Sequence, residues 1–270
     1  MKTRIITGVL LVVFLLLLVF VLPKVVTVLA VSLCASVAAY ELLYKTQLVR
    51  HLRLVIYTMI VAFAVPVWCW FGMPQAWGLL GILAFVVALF AELMASSCKL
   101  PVGKLALCLL AGLLLPYLFS SLIRIFSMEE GRFLVAIPCI LSFVPDSGAY
   151  FIGSFFGKHK MAPILSPKKT VEGAVGGVLT AILAVLLYSL ILDHGFDFEI
   201  NYLVAALYGF LASAADIFGD LMFSAIKRQT QLKDYGNLFP GHGGILDRFD
   251  SMMIVAPLIE ALLILIPMVV

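Results

Sequence analysis

The polar chemistry of this chain is concentrated in one stretch, residues 219–250, which reads GDLMFSAIKRQTQLKDYGNLFPGHGGILDRFD. It holds four of the eight aspartates (Asp220, Asp234, Asp247, Asp250), four basic residues (Lys227, Arg228, Lys233, Arg248) and the knot Pro240-Gly241-His242-Gly243-Gly244. Carboxylates that can hold a divalent metal, cations that can hold phosphate and glycines that let backbone approach a ligand therefore share one segment. That combination suits phosphoryl or nucleotidyl transfer, where positioning and charge neutralisation supply most of the catalysis. The G-x-x-x-x-G-K-[ST] loop is absent, which excludes a Walker-type nucleotide site.

Further carboxylates lie in apolar surroundings, where each costs roughly 2.5–3.5 kcal/mol at a bilayer centre. Asp146 sits in PDSGAYFIG, with Tyr150 one helical turn later. Asp216 and Asp220 are four apart and share a helix face that continues through Ser224 to Lys227 and Arg228. Asp247 and Asp250, three apart, open the last apolar run. These spacings let the carboxylates converge on one cavity; the simpler alternative for each alone is pairing with a nearby Lys or Arg. Glu41 and Glu92 read as residues snorkelling at the ends of their spans, Glu41 having the further reading that it lines the cavity. Glu260 reads as a helix or subunit contact.

Two loops carry the remaining candidates. In Ser166-Pro167-Lys168-Lys169-Thr170, serine and proline make an N-cap and first-turn pair for the following helix. A helix start with two lysines is a candidate phosphate site, the alternative being a topology signal alone. Gly173, Gly176 and Gly177 read as close helix packing. In the glycine knot, backbone N–H groups can face phosphate oxygens, and His242 has three readings: hydrogen-bond donor to phosphate, general acid, or structural.

The elements that must position these residues are membrane helices. Of the 270 residues, 64% are hydrophobic and only 12% charged, against about 25% charged in soluble domains, and the mean hydropathy is +1.16. The fold class expected is an all-α integral membrane protein. The five cysteines (Cys34, Cys69, Cys98, Cys108, Cys139) are scattered and read as neither disulfides nor metal ligands. The first apolar run has a basic start but no small-residue cleavage site, and reads as a retained helix. Windows of ~20 apolar residues give about nine spans: 5–22, 25–44, 54–72, 76–95, 103–123, 132–156, 171–192, 200–226 and 250–270.

Charge placement orients them. Fifteen of the 18 basic residues fall on the amino-terminal side, leaving only Lys24, Arg124 and Arg132 opposite. The positive-inside rule then makes the N-terminus cytoplasmic and puts loops 157–170 and 227–249 on the same cytoplasmic face. Residues 1–131, with about five spans, form an N-terminal region; residues 132–270 form the catalytic one, with a cytoplasm-facing polar cavity. A chain of this kind suits a bacterial cytoplasmic membrane, and no nucleic-acid partner is expected.

At these residues the chain resembles the phosphatidate cytidylyltransferase (CDP-diacylglycerol synthase) family. The family's signature appears as Gly219-Asp220-Leu221, Ser224 with Lys227-Arg228, Lys233-Asp234, the knot 240–244, and Asp247-Arg248-Phe249-Asp250. Upstream elements are Asp146-Ser147-Gly148-Ala149-Tyr150 and Ser166 to Gly173. The resemblance covers about residues 142–250; the first five spans match in hydropathy only. It implies transfer of CMP from CTP to phosphatidic acid in the bilayer, giving CDP-diacylglycerol and pyrophosphate, with Mg²⁺ required, a second cation as an option, and a membrane homodimer. On this basis Asp220 and Asp247 are expected to ligate metal, with Asp216, Asp250 and Asp146 as further ligands or their partners. Lys227, Arg228 and His242 join Asp220 and Asp247 as catalytic candidates. Ser166, Lys168, Lys169, Lys233, Gly243, Gly244 and Arg248 are expected to bind substrate phosphates. A cytidylyltransferase for ether-lipid phosphates shares the pattern. A polyprenol-type kinase does not fit the full signature. An ion-coupled transporter would need polar residues on both sides of the bilayer.

Overall fold

The computed structural model describes residues 2–239 and 241–269, with side chains from residue 7 onward. Pro240 of the glycine knot, and the side chains of Lys2 and Arg4 that entered the charge sorting, lie outside the described residues. The fold is all-α, about 76% helical; among the described residues there is one small β-hairpin, and seven helices are long and apolar enough to cross a bilayer. The chain is a multi-pass membrane protein.

In chain order the helices are α1 (Thr7–Val21), α2 (Lys24–Lys45), α3 (Leu52–Phe71), α4 (Gln75–Ala95), α5 (Val102–Ser127) and α6 (Gly131–Phe156). The hairpin strands β1 (Lys160–Ala162) and β2 (Ser166–Thr170) follow. Then come α7 (Val171–Phe196) and α8 (Tyr202–Gln229), the single turn α9 (Leu246–Phe249) and α10 (Met252–Leu265). Each of the nine expected apolar segments contains a helix, but only α2 to α8, seven in number, have full spanning length among the described residues. The ninth differs most from expectation. Its 14 helical residues rise about 21 Å, short of the ~30 Å hydrocarbon core. Polar Asp250-Ser251 delays its start, and its helix stops before Pro267, which lacks the N–H to continue one.

The chain forms two compact units. The first comprises residues 1–128 with 229–249, so the glycine-bearing loop clusters with the N-terminal helices; the second comprises 129–228 with 250–270.

In the first unit, α2 meets α3 through small residues. Ala35, Ser36, Ala38 and Ala39 are buried, and Ser36 Oγ donates to Met59 O at 3.0 Å, the close approach that membrane helices use in place of hydrophobic drive. Thr27 Oγ1 donates to Leu18 O at 2.7 Å and ties the α1–α2 turn. Glu92 does not snorkel to solvent: it is 9% exposed, accepts from Tyr57 Oη at 3.2 Å and pairs with Arg53 at 3.5 Å.

In the second unit, α6 and α7 pack along a glycine seam. A Cβ on Gly173 would lie 2.8 Å from Ala149 O, and one on Gly176 would lie 2.5 Å from Ile152 Cδ1. The packing role expected for Gly173, Gly176 and Gly177 is what the helices use. Tyr208 of α8, fully buried, donates to Ile266 O at 2.8 Å and satisfies a carbonyl just beyond the end of α10.

One helix start differs from expectation. Ser166 and Pro167 lie on β2, which pairs antiparallel with β1 in the register Lys160↔Thr170 and Ala162↔Ser166. The N-cap of α7 is Thr170, whose Oγ1 accepts from Gly173 N at 3.1 Å. Glu172 turns back to accept from the N–H groups of Lys158 (3.1 Å) and His159 (3.2 Å), binding the hairpin's entry to the helix start. Lys168 and Lys169 therefore sit on a strand, not on a helix N-terminus.

Candidate functional site

Four of the five expected metal-binding aspartates belong to the second unit. Asp146 follows Pro145 in α6, Asp216 and Asp220 lie one turn apart on α8, and Asp250 immediately precedes α10. Their surroundings differ sharply. Asp146 is exposed, whereas Asp216 is 2% exposed and its Oδ1 has no hydrogen-bond partner among the described residues. Asp220 forms an ion pair with Lys169, and Asp250 pairs with Lys227 at 3.8 Å. Asp146, Asp216 and Asp220 all interact electrostatically with Lys169; Asp250 feels Asp220, Lys227 and Asp146. Four carboxylates thus share two ammonium groups. Burial alone would lower the pKa of Lys169, but Asp220, reinforced by Asp146 and Asp216, more than offsets it and holds the ammonium above its ordinary value.

A cavity of about 580 Å³ opens beside this cluster between α6, the hairpin, α7 and α8. Asp146 and Asp216 line it with Lys160, Lys168 and Lys169, and glycines of the α6–α7 seam form part of its wall. Ser213, one turn before Asp216, also faces it; its Oγ is buried and likewise unpartnered among the described residues. Arg228 is committed elsewhere, donating from Nε to Leu165 O at 3.0 Å in the hairpin turn. Sequence reasoning passed over Ser213 and Lys160. The i, i+3 spacing of Ser213 and Asp216 on one helix face was the available signal for the first.

The other candidates belong to the first unit. Asp247, 7% exposed, accepts through Oδ2 from the N–H groups of Tyr235 (2.8 Å), Gly244 (3.0 Å) and Gly236 (3.4 Å). Two more loop amides go to Glu41 of α2, from Ile245 to Oε1 at 3.1 Å and from Leu246 to Oε2 at 2.8 Å. The Gly244 N–H, expected to face a phosphate, is thus turned inward onto an internal carboxylate. Gly241 (φ +77°) and Gly243 (φ +82°) occupy left-handed conformations that favour glycine, and the turn closes through Phe239 N to Gly243 O and His242 N to Phe239 O, both 2.9 Å. Nδ1 of His242 is buried without a hydrogen-bond partner among the described residues, and Gly8 of α1 is its neighbour on the Nε2 side. Lys233, Asp234 and Arg248 are exposed.

Among the described residues, no three His, Cys, Asp or Glu side chains converge as a ready-made metal site. The donor set nevertheless fits a hard divalent cation. It consists of carboxylate oxygens, one of them buried without a hydrogen-bond partner among the described residues, and four carboxyl groups stand around two ammonium groups.

A phosphatidate cytidylyltransferase of Bacillus subtilis (strain 168) is 35% identical over 276 aligned residues, covering 98% of this chain and 98% of its own length. Proteins of the same name from Staphylococcus epidermidis (strain ATCC 12228 / FDA PCI 1200) and Staphylococcus aureus (strain COL) are 41% and 40% identical over 136 residues, half of this chain and about half of theirs. The description of the cytidylyltransferase family matches residues 2–266. With a family match over nearly the whole chain and a relative 35% identical over 98% of it, the chain belongs to the cytidylyltransferase family of enzymes.

Proposed function

We propose that this enzyme transfers CMP from CTP to phosphatidic acid, forming CDP-diacylglycerol and releasing pyrophosphate, at a site on the cytoplasmic face. The observation that carries the reading is the second unit's cavity, where Lys160, Lys168 and Lys169 stand beside Asp146 and Asp216, whose Oδ1 is buried without a hydrogen-bond partner among the described residues. Two polyanions must be brought together there, and the cations offset the repulsion between them. An oxygen of the lipid phosphate forms a bond to the α-phosphorus of CTP in line, and the bond from that phosphorus to the α–β bridging oxygen breaks. No general base is required, because the attacking phosphate is already ionised near neutral pH. Lys160 and Lys168, exposed at the cavity, are suited to gather incoming phosphates. Lys169, held charged among three carboxylates, lines the same cavity and is more buried than either.

Asp146, Asp216, Asp220 and Asp250 would hold Mg²⁺. The bound ion would supply charge neutralisation on the transferring phosphoryl group. Asp247, with Oδ2 given to three loop amides, is assigned to holding the loop.

The test is CDP-lipid formation by detergent-purified protein supplied with labelled CTP, Mg²⁺ and either phosphatidic acid or an ether-lipid phosphate. Product from phosphatidic acid, lost with chelator and reduced at least a hundredfold in Asp216→Asn, is expected. No product from folded wild-type protein refutes the reaction. Preference for the ether-lipid phosphate reassigns the acceptor, and an Asp216→Asn protein of full activity removes the aspartate from the site.

A further inference from the structure

Glu41 is a costly residue to keep where it lies. It sits in α2, at the start of the π-helical turn Glu41–Lys45, and is 3% exposed. A widened turn of this kind is rare and often marks a functional position. Its two oxygens accept from two successive backbone amides more than 200 positions along the chain, Ile245 N and Leu246 N. A carboxylate can accept at both oxygens, whereas a glutamine would turn an NH₂ group against one of those N–H donors.

The loop is shaped around this carboxylate. A Cβ on Gly236 or Gly244 would run into the Glu41 carboxyl group, and a Cβ on Gly236 would also lie 3.1 Å from Gly244 Cα. Asp247 forms the matching clamp from inside the loop, taking the amides of Tyr235, Gly236 and Gly244. Five backbone N–H groups of residues 235–246 are therefore delivered to two carboxylates. An apolar contact would anchor a loop at lower cost; directional hydrogen bonds fix its register as well as its position.

We propose that Glu41 is a positioning residue for the transfer reaction: from α2 it seats the glycine-rich loop and so fixes how that loop presents Lys233, His242 and Arg248. This rests on the CMP-transfer reading above. Misplacement of a reacting group by about 1 Å can cost on the order of a hundredfold in rate, so the role is visible in turnover before it is visible in binding.

The experiment compares wild type, Glu41→Gln, Glu41→Asp and Gly236→Ala in detergent, normalised to folded protein. Amide hydrogen exchange is measured by mass spectrometry alongside kcat and KM for CTP. For Glu41→Gln, kcat is expected to fall about ten- to a hundredfold with KM within about threefold of wild type. Exchange should quicken in peptides covering 235–249 and stay unchanged in those covering 203–228. Glu41→Asp, which keeps both acceptor oxygens, should recover part of the kcat. Gly236→Ala should share the phenotype, and the Glu41→Gln/Gly236→Ala double variant should be no slower than its slower parent. A Glu41→Gln enzyme with kcat within twofold of wild type overturns the proposal, as does exchange that quickens equally in both regions. Wild-type protein that makes no CDP-lipid refutes the reaction and the positioning role with it, while the exchange data still report whether Glu41 seats the loop.

Discussion

Replacing Lys169 by methionine keeps the length and apolar stem of the side chain and removes its charge. In the intact protein this ammonium pairs with Asp220, both side chains being about one-quarter exposed (23% and 24%), and it also interacts with Asp146 and Asp216. Exposed pairs contribute 0–1 kcal/mol, and loss of one partner from a fully buried pair costs about 3–5 kcal/mol. A pair three-quarters buried with two further carboxylates nearby falls between, at about 2–3 kcal/mol for Lys169→Met. Most of that cost is the repulsion left among the acids, so Asp220→Asn on top of Lys169→Met should restore about half of it. Thermal unfolding in detergent at fixed scan rate compares the four proteins of this cycle, and CDP-lipid formation should fall in both single variants.

The pH dependence has a definite sign. The folded pKa of Lys169 is raised above 10.5. Its stabilisation is therefore fully present below the unfolded value and is lost only as pH rises through the higher folded value. The gap between wild type and Lys169→Met should not narrow from pH 6 to 9. A gap that closes between pH 7 and 9 would mean the lysine loses its proton there, and the balance drawn between burial and the three carboxylates would be refuted. A double variant less stable than Lys169→Met would refute the repulsion argument independently.

Two further outcomes follow from local geometry. Thr170→Ala removes the Oγ1 that accepts from Gly173 N and should lower stability by about 1 kcal/mol, whereas Thr170→Ser should recover most of it; unfolding temperatures of the three proteins decide the matter. The distribution of basic residues predicts that the loop between α4 and α5 faces the cytoplasm, and Cys98 is exposed in it. In a chain carrying C34S, C69S, C108S and C139S, a membrane-impermeant maleimide should label Cys98 only after cells are opened, and labelling of intact cells would invert the proposed topology.

The helices were legible because the bilayer enforces them. Every backbone N–H and C=O in hydrocarbon must be satisfied within the segment, so apolar runs become helices with little dependence on their neighbours. Of the five aspartates expected to converge because carboxylates in spans are too costly to scatter, Asp146, Asp216, Asp220 and Asp250 share one unit and Asp247 belongs to the other. The start of α7 was misread because two residues compete for the cap. Ser166-Pro167 has the right composition, but Thr170 wins because its Oγ1 reaches Gly173 N while residues 166–170 pair with β1, a contact no local pattern announces. The end of the chain was misread because an apolar window counts residues without asking whether they stay helical, and α10 has only 14 that do.

Glu41 marks the boundary between what spacing can and cannot reveal. A glutamate at the end of an apolar span has an inexpensive explanation, a side chain reaching for headgroup and water. Nothing in its own neighbourhood contradicts that explanation. The contradiction lies more than 200 residues away, where Gly236 and Gly244 leave room that only the Glu41 carboxyl group fills and the amides of Ile245 and Leu246 supply donors that only an acceptor pair can use. The glycines of the knot were therefore read for the wrong reason: some serve the turn itself, as the left-handed Gly241 and Gly243 do, but Gly244 serves a partner helix. Glycine in a binding motif can make space for the protein's own carboxylate as readily as for a phosphate.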